Sequence, residues 1–373
     1  MQKSNLTKIL LLVVSSIIFF FILLEIVLRI INPFEVQLRL YKYSGISLPP
    51  SVKKMDSQTG WLYKENVQCN FSSKEFNTTV TTNNYGFRDE DFALEKKDHV
   101  KRIVVLGDSF TFGWGVEQNE RFTEVVEKGF NNSVELYNFG VSGYSTLQEL
   151  ILFKRALKFK PDIALLTFYD NDVGDNFISF NRPSLSKKNN AYLIDYSGIN
   201  EVSFMSFIHA DKAYLETGTK FYAMRTVKEI KTFFRKNSYA YNLISGRIKS
   251  FKRTIKESKG NKKINAEIYL FKEWLRICKE HNILPFIAII PNKLEIQPEM
   301  IRANKGKEYD NVFRRAVVKF CEEEKIPYLD VTSLLTPQEK EKYHFSLDEH
   351  LTPLGHKSFG THLVKALTPL LNQ

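Results

Sequence analysis

The chain has few cysteines: three in 373 residues, Cys69, Cys278 and Cys321, far apart and with no C-x-x-C pair. A disulfide scaffold and a cysteine-built structural zinc site are therefore not expected. Histidine is also scarce, at seven, and none stands in an H-E-x-x-H or similar ligand spacing, so no metal and no cofactor are expected. Glycine (17) and proline (12) are too few for a collagen-like or low-complexity chain, and no internal repeat is present. What is there is enough to fold: 43% hydrophobic and 25% charged residues exclude wholesale disorder. The length suits two average domains, or one large α/β domain with additions. Acidic residues are the minority, 42 against 53 Lys and Arg, which leaves a net charge of +11.

Charge is missing altogether from Ile9 to Leu24 (ILLLVVSSIIFFFILL), and past Glu25 the apolar run continues to Leu28, 20 residues in all. At about 1.5 Å per residue this crosses a hydrocarbon core of about 30 Å. A cleaved signal peptide is the main competitor, but the far end is bulky throughout and carries no A-x-A-like site. No cysteine follows directly, which removes the lipoprotein alternative. Lys3 and Lys8 favour a cytoplasmic N-terminus. The expected layout is a cytoplasmic segment 1–8, a single-pass anchor 9–28 in the inner or plasma membrane, an irregular lead-in 29–95 with short strands, and an extracytoplasmic domain 96–373.

Within that domain, short apolar runs alternate with helical spacing. Strands are expected at Arg102–Leu106, Ser133–Asn138, Ile163–Phe168, Pro285–Ile290 and Pro327–Val331. Helices are expected over Glu117–Phe130, Leu147–Phe159, Ile264–His281 and Tyr309–Lys325. This alternation predicts a doubly wound α/β fold, a parallel sheet covered on both faces. It fails over about residues 177–263, where a helical, basic insertion is expected. From Lys212 to Lys263 there are 15 Lys and Arg against three Glu. An extracytoplasmic domain rarely meets nucleic acid, so anionic lipid head groups or an anionic surface polymer are the expected partners, with a merely solvated helical face as the plain alternative.

Four short segments carry chemistry, each of them ordinary alone. Gly107-Asp108-Ser109-Phe110 follows the first strand, where a serine hydroxyl would be exposed at a sheet end, although Asp108 and Ser109 could equally be a helix cap. Asn138-Phe139-Gly140-Val141-Ser142-Gly143-Tyr144 follows the second strand as a tight turn that can aim an N–H. Tyr169-Asp170-Asn171-Asp172 follows the third, offering an amide to a developing oxyanion. Ser346-Leu347-Asp348-Glu349-His350 precedes the last helix and pairs a carboxylate with an imidazole. The placement of all four at strand ends or just before the final helix lifts them above chance.

The set resembles the SGNH hydrolases, also called the GDSL esterase and lipase family, over roughly residues 80–370. The apolar helix, the turn Asn83-Asn84-Tyr85-Gly86-Phe87-Arg88 and the phrase GDSFTFGWGV at 107–116 are similar to a membrane-anchored bacterial branch of it. The resemblance implies a flavodoxin-like three-layer fold and a serine esterase acting on an ester of a cell-envelope carbohydrate or lipid. It makes Ser109 the nucleophile, His350 the general base and Asp348 its orienting partner. The Ser109 N–H, the Gly143 N–H and the Asn171 side chain would form the oxyanion hole. Two positions depart from the family pattern. Residue 347 is leucine, so Asp348-x-His350 replaces Asp-x-x-His, a spacing similar to that of polysaccharide O-acetyl transfer and esterase proteins. Tyr169 stands where glycine is usual, which implies a changed substrate groove. His356 is a rival base with no carboxylate near it in sequence. An O-acyltransferase acting on an exported polysaccharide would use the same residues, and a non-catalytic anchored binding module is the alternative from another class.

Overall fold

A computed structural model describes residues 2–32, 34–42, 46–131, 133–189, 191–201, 203–204, 231, 233–245, 260–303, 309 and 311–371. The chain divides into two compact units, Met1–Ile46 with Leu215–Ser258, and Ser47–Tyr214 with Lys259–Gln373.

The first unit contains helix α1 (Gln2–Ile31) and helix α2 (Phe34–Lys42). Between Lys8 and Ile31 lies a 24-residue stretch whose most apolar window has a mean hydropathy of 3.0 and no buried residue. It is long and apolar enough to cross a membrane. Near its end, Glu25 accepts hydrogen bonds from the Ser238 hydroxyl (2.9 Å) and from the N–H groups of Tyr239 (3.0 Å) and Ala240 (2.9 Å), where a helical stretch over 239–245 begins. A carboxylate is favourable at that end of a helix. Most of the basic segment 212–263 lies outside the described residues.

The second unit begins with two antiparallel hairpins, β1 (Lys53–Asp56) with β2 (Gly60–Tyr63) and β3 (Gln68–Ser72) with β4 (Asn77–Thr81). Then come β5 (Lys101–Leu106), α3 (Ser109–Phe112), α4 (Phe122–Gly129), β6 (Val134–Asn138), α5 (Thr146–Ala156), β7 (Ile163–Phe168) and α6 (Asp172–Asp175). A hairpin of β8 (Ser184–Lys188) and β9 (Ala191–Asp195) follows, so the insertion expected to be helical opens instead with a pair of strands joined through Asn189 at φ +48°. After it come α7 (Gly260–Glu280), β10 (Leu284–Ile289), α8 (Lys293–Ile296), α9 (Pro298–Ala303), α10 (Val312–Glu324), β11 (Tyr328–Asp330), α11 (Pro337–Lys342) and α12 (Pro353–Leu371).

Five of these strands form one parallel sheet in the order β11-β10-β7-β5-β6. Counting only sheet strands this is 2-1-3-4-5, a doubly wound sheet as the alternation predicts, in the flavodoxin-like arrangement that the family resemblance implies. The two faces follow from strand alternation. Ile103, Val105, Leu136, Leu165 and Phe286 join a buried cluster with Phe122 and Val126 of α4 and Phe359, Leu363 and Leu367 of α12. On the opposite face, Phe168 meets Phe271 of α7 edge to face at 5.8 Å. The strand order reverses between β5 and β7, and ligands bind at such a switch point, outside the carboxyl ends of the strands.

Two of the departures from expectation have a side chain behind them. The helix anticipated over Glu117–Phe130 is broken at Arg121, whose backbone is extended. The fully buried Arg121 guanidinium turns back to the Arg88 carbonyl and to Asp89 (2.9 Å), and that contact outweighs one turn of helix. The helix anticipated from Tyr309 starts at Val312 because the Asn311 side chain caps it by accepting from the Arg314 N–H (3.0 Å).

Candidate active site

The nucleophile turn leaves the sheet at β5. Gly107 has no room for a side chain: a Cβ there would fall 2.1 Å from both the Thr111 and Thr167 hydroxyls. Strand and helix are thereby packed backbone to side chain. Asp108 does cap α3, accepting from the Phe110 N–H at 2.9 Å, yet its second oxygen accepts from the Asn171 amide at 3.0 Å. The cap and the site are the same residue. Ser109 sits at the first helical position, and its Oγ lies 2.7 Å from Nε2 of His350, 241 residues away.

His350 and Asp348 share a loop before α12. The Asp348 Oδ1 accepts from the His350 backbone N–H (3.0 Å) and lies in a short contact with His350 Nδ1. This two-residue turn lets Asp-x-His reach the ring that Asp-x-x-His would otherwise orient. Trp114, the tryptophan of GDSFTFGWGV, donates its indole N–H to Asp348 Oδ2 at 3.2 Å and stacks on the His350 ring at 5.0 Å. Phe110 covers the ring at 4.8 Å. Burial alone would lower the His350 pKa, but the Asp348 carboxylate, with Glu349 and Asp108 beyond it, outweighs this and raises it above the usual histidine value. With Nδ1–H held by Asp348, the neutral ring presents Nε2 as an acceptor toward the serine.

The remaining residues singled out in the sequence fall around this line. Asn171 stands at the end of β7, its amide bonded to Asp108 and its Oδ1 buried without a hydrogen-bond partner. The loop carrying Gly143 lies against the nucleophile turn through the Val141 N–H and the Gly107 carbonyl (3.1 Å). Gly143 has φ +81°, a conformation few other residues adopt, and a Cβ there would only reach ordinary contact with the Trp61 ring at 3.7 Å. No hydrogen bond among the described residues joins Gly143 to Ser109 or His350. His356, the rival base, is a packing residue: it is buried, stacks on Phe122 at 5.9 Å and accepts from the Phe122 N–H at 3.2 Å, and burial together with Arg121 pushes its pKa down to about 3. The expectation that Tyr169 reshapes a substrate groove is corrected. Its ring is 3% exposed and packs on Phe110 at 4.2 Å, so its bulk lies in the core.

Behind the site lie three buried carboxyl groups. Glu267 of α7 accepts from the Thr146 hydroxyl (2.5 Å) and the Asn176 amide (2.6 Å), tying α5 to the end of α6, and burial raises its pKa to about 7. Glu149 has neither oxygen hydrogen-bonded, and Asp172 leaves one free. Burial and mutual repulsion raise both well above the carboxylate range. Among the described residues no cluster of His, Cys, Asp and Glu is suited to hold a metal ion, and the three cysteines are unpaired.

No curated protein sequence matches the chain. Among solved structures it is similar to a carbohydrate acetylesterase family member from Sinorhizobium meliloti (12% identity, 74% of this chain and 100% of that one, TM-score 0.40). It is also similar to a GDSL-like lipase from Bacteroides thetaiotaomicron (13% identity, 75% and 93%, TM-score 0.38). A third is a lipase/acylhydrolase from Enterococcus faecalis (10% identity, 73% and 97%, TM-score 0.40). The sequence profile of the GDSL-like lipase/acylhydrolase family matches residues 105–357, a span that opens just before Gly107-Asp108-Ser109 and closes beyond His350. The chain belongs to the GDSL-like lipase/acylhydrolase family.

Proposed function

We propose that the chain is a serine esterase that cleaves an ester of a cell-envelope carbohydrate or lipid through an acyl-enzyme on Ser109. The observation that carries this reading is the 2.7 Å contact between the Ser109 hydroxyl and His350 Nε2, with the other ring nitrogen on Asp348. His350 takes the hydroxyl proton as Ser109 Oγ attacks the ester carbonyl. The oxyanion is met by the N–H groups of Ser109 and Gly143 and by the second amide proton of Asn171. Collapse expels the alcohol, which takes its proton from His350 and leaves Ser109 acylated. Water, deprotonated by His350, then attacks the ester, and the acid leaves as Ser109 recovers its proton. A sugar hydroxyl taking the place of water would make the same residues an acyltransferase. Release of acid in the absence of any acceptor distinguishes the two.

His350 must be neutral to accept the proton, so activity should rise with pH through a midpoint above the usual histidine value, given its raised pKa. The apolar stretch of α1 serves in this reading as a single-pass anchor holding the hydrolase domain outside the plasma or inner membrane. The basic insertion meets anionic lipid or polymer there. The deciding experiment is labelling with a fluorophosphonate. The native chain should be modified and Ser109→Ala should not, and a folded native chain that stays unlabelled overturns the reading.

A further inference from the structure

Residues 345–350, which carry Asp348 and His350, are bends and irregular backbone. They have no sheet ladder or helix to hold them beyond an isolated bridge between His344 and Leu351 and a Phe345 N–H to His350 carbonyl bond of 3.0 Å. Their polar groups are instead collected by two side chains of opposite charge. Lys293, at the start of α8, is 4% exposed, and its ammonium points at the carbonyls of Phe345 (2.7 Å), Ser346 (2.5 Å) and Asp348 (2.9 Å). An ammonium has three protons, and a charge that deep must spend them well. The N–H groups of the same loop meet the Glu75 carboxylate, Leu347 at 2.9 and 3.0 Å and Asp348 at 2.7 Å. Glu75 lies in the turn between β3 and β4, outside the family match at 105–357. Its neighbour Phe76 packs on Phe345 at 5.6 Å and on Trp114 at 6.4 Å.

We propose that Glu75 and Lys293 are positioning residues that clamp the Asp348–His350 loop from its amide and carbonyl sides and so set the imidazole against Ser109. The proposal rests on the esterase reading above. The hairpin β3–β4 is thereby part of the active-site architecture that this chain adds to its family domain. The alternative is that Glu75 only stabilises a surface turn.

The test uses the full chain with Glu75→Ala and Glu75→Gln, read by 4-nitrophenyl acetate kinetics, fluorophosphonate labelling and amide hydrogen exchange. Glu75→Ala should lower kcat about tenfold to a hundredfold with KM little changed, because displacement of a catalytic group by about 1 Å is enough for that. It should also move the acid limb of the pH profile to lower pH as Asp348 loosens its hold on His350, and speed exchange at the Leu347 and Asp348 amides. Glu75→Gln keeps one carbonyl acceptor and should recover part of the loss. Unchanged kcat, pH limb and exchange in a folded Glu75→Ala chain would overturn the clamp. A native chain that never labels would instead overturn the esterase reading, while the exchange rates at residues 347 and 348 still decide the clamp.

Discussion

The two arms of the site are built in opposite ways. The serine arm, Gly107 to Val116, is local: a strand end, a one-residue cap and a helix start, all within ten residues, with Asp108 serving both cap and Asn171. The histidine arm, Phe345 to His350, is held from afar, by Lys293, by Glu75 and by Trp114. Regular backbone positions a nucleophile cheaply because its hydrogen bonds are made anyway. An irregular loop brings unsatisfied amides and carbonyls, and charged side chains from elsewhere in the chain gather them.

The largest break in that comparison should come from Asn171→Ala. If its amide meets the oxyanion, kcat falls about a hundredfold to a thousandfold, while a melting curve stays near the native one. A loss below about tenfold would reduce Asn171 to a partner of Asp108. A smaller effect is expected where the arms meet. Trp114→Phe keeps the stack on His350 and removes the N–H to Asp348. Losing one hydrogen bond to a charged group should lower kcat about tenfold with KM unchanged, and steady-state kinetics on a small ester would read it. An equal fall in kcat for substrates of any size is expected, since Trp114 acts on the base.

The smallest effect concerns stability and tests the buried acids behind the serine arm. The carboxyl of Glu267, with its pKa raised to about 7 by burial, stays protonated in the folded chain over a range where the unfolded chain has lost that proton. Stability should therefore fall as pH rises from the ordinary carboxylate value toward about 7, and this contribution should level off beyond it. Glu267→Gln should flatten that slope, measured as unfolding midpoints at about pH 5 and about pH 8. An unchanged slope would assign it to Glu149 and Asp172.

Much of this was legible in the chain itself. Ile163–Phe168 is a strand with the boundaries its apolar run implies, and the other strands differ by a residue or two, because a strand buried on both faces admits little but aliphatic side chains. The helix break at Arg121 was not legible, since the Asp89 and Arg88 groups that capture it are 32 and 33 residues away. Glu75 and Lys293 gave no signal: a glutamate in a turn and a lysine opening a short helix read as solvated charges. Trp114 stood inside a recognised phrase, but nothing local says that its indole N–H reaches a residue 234 positions on.

From the residues alone came the apolar helix, the strand–helix alternation and the four segments at strand ends, all of them consequences of short-range periodicity and backbone preference. Only the folded chain decided which histidine faces Ser109, that Tyr169 turns inward, and which distant charges hold the loop of Asp348. Those outcomes depend on which surfaces meet once the sheet has closed its core, and proximity in space is a property that spacing along a chain does not encode.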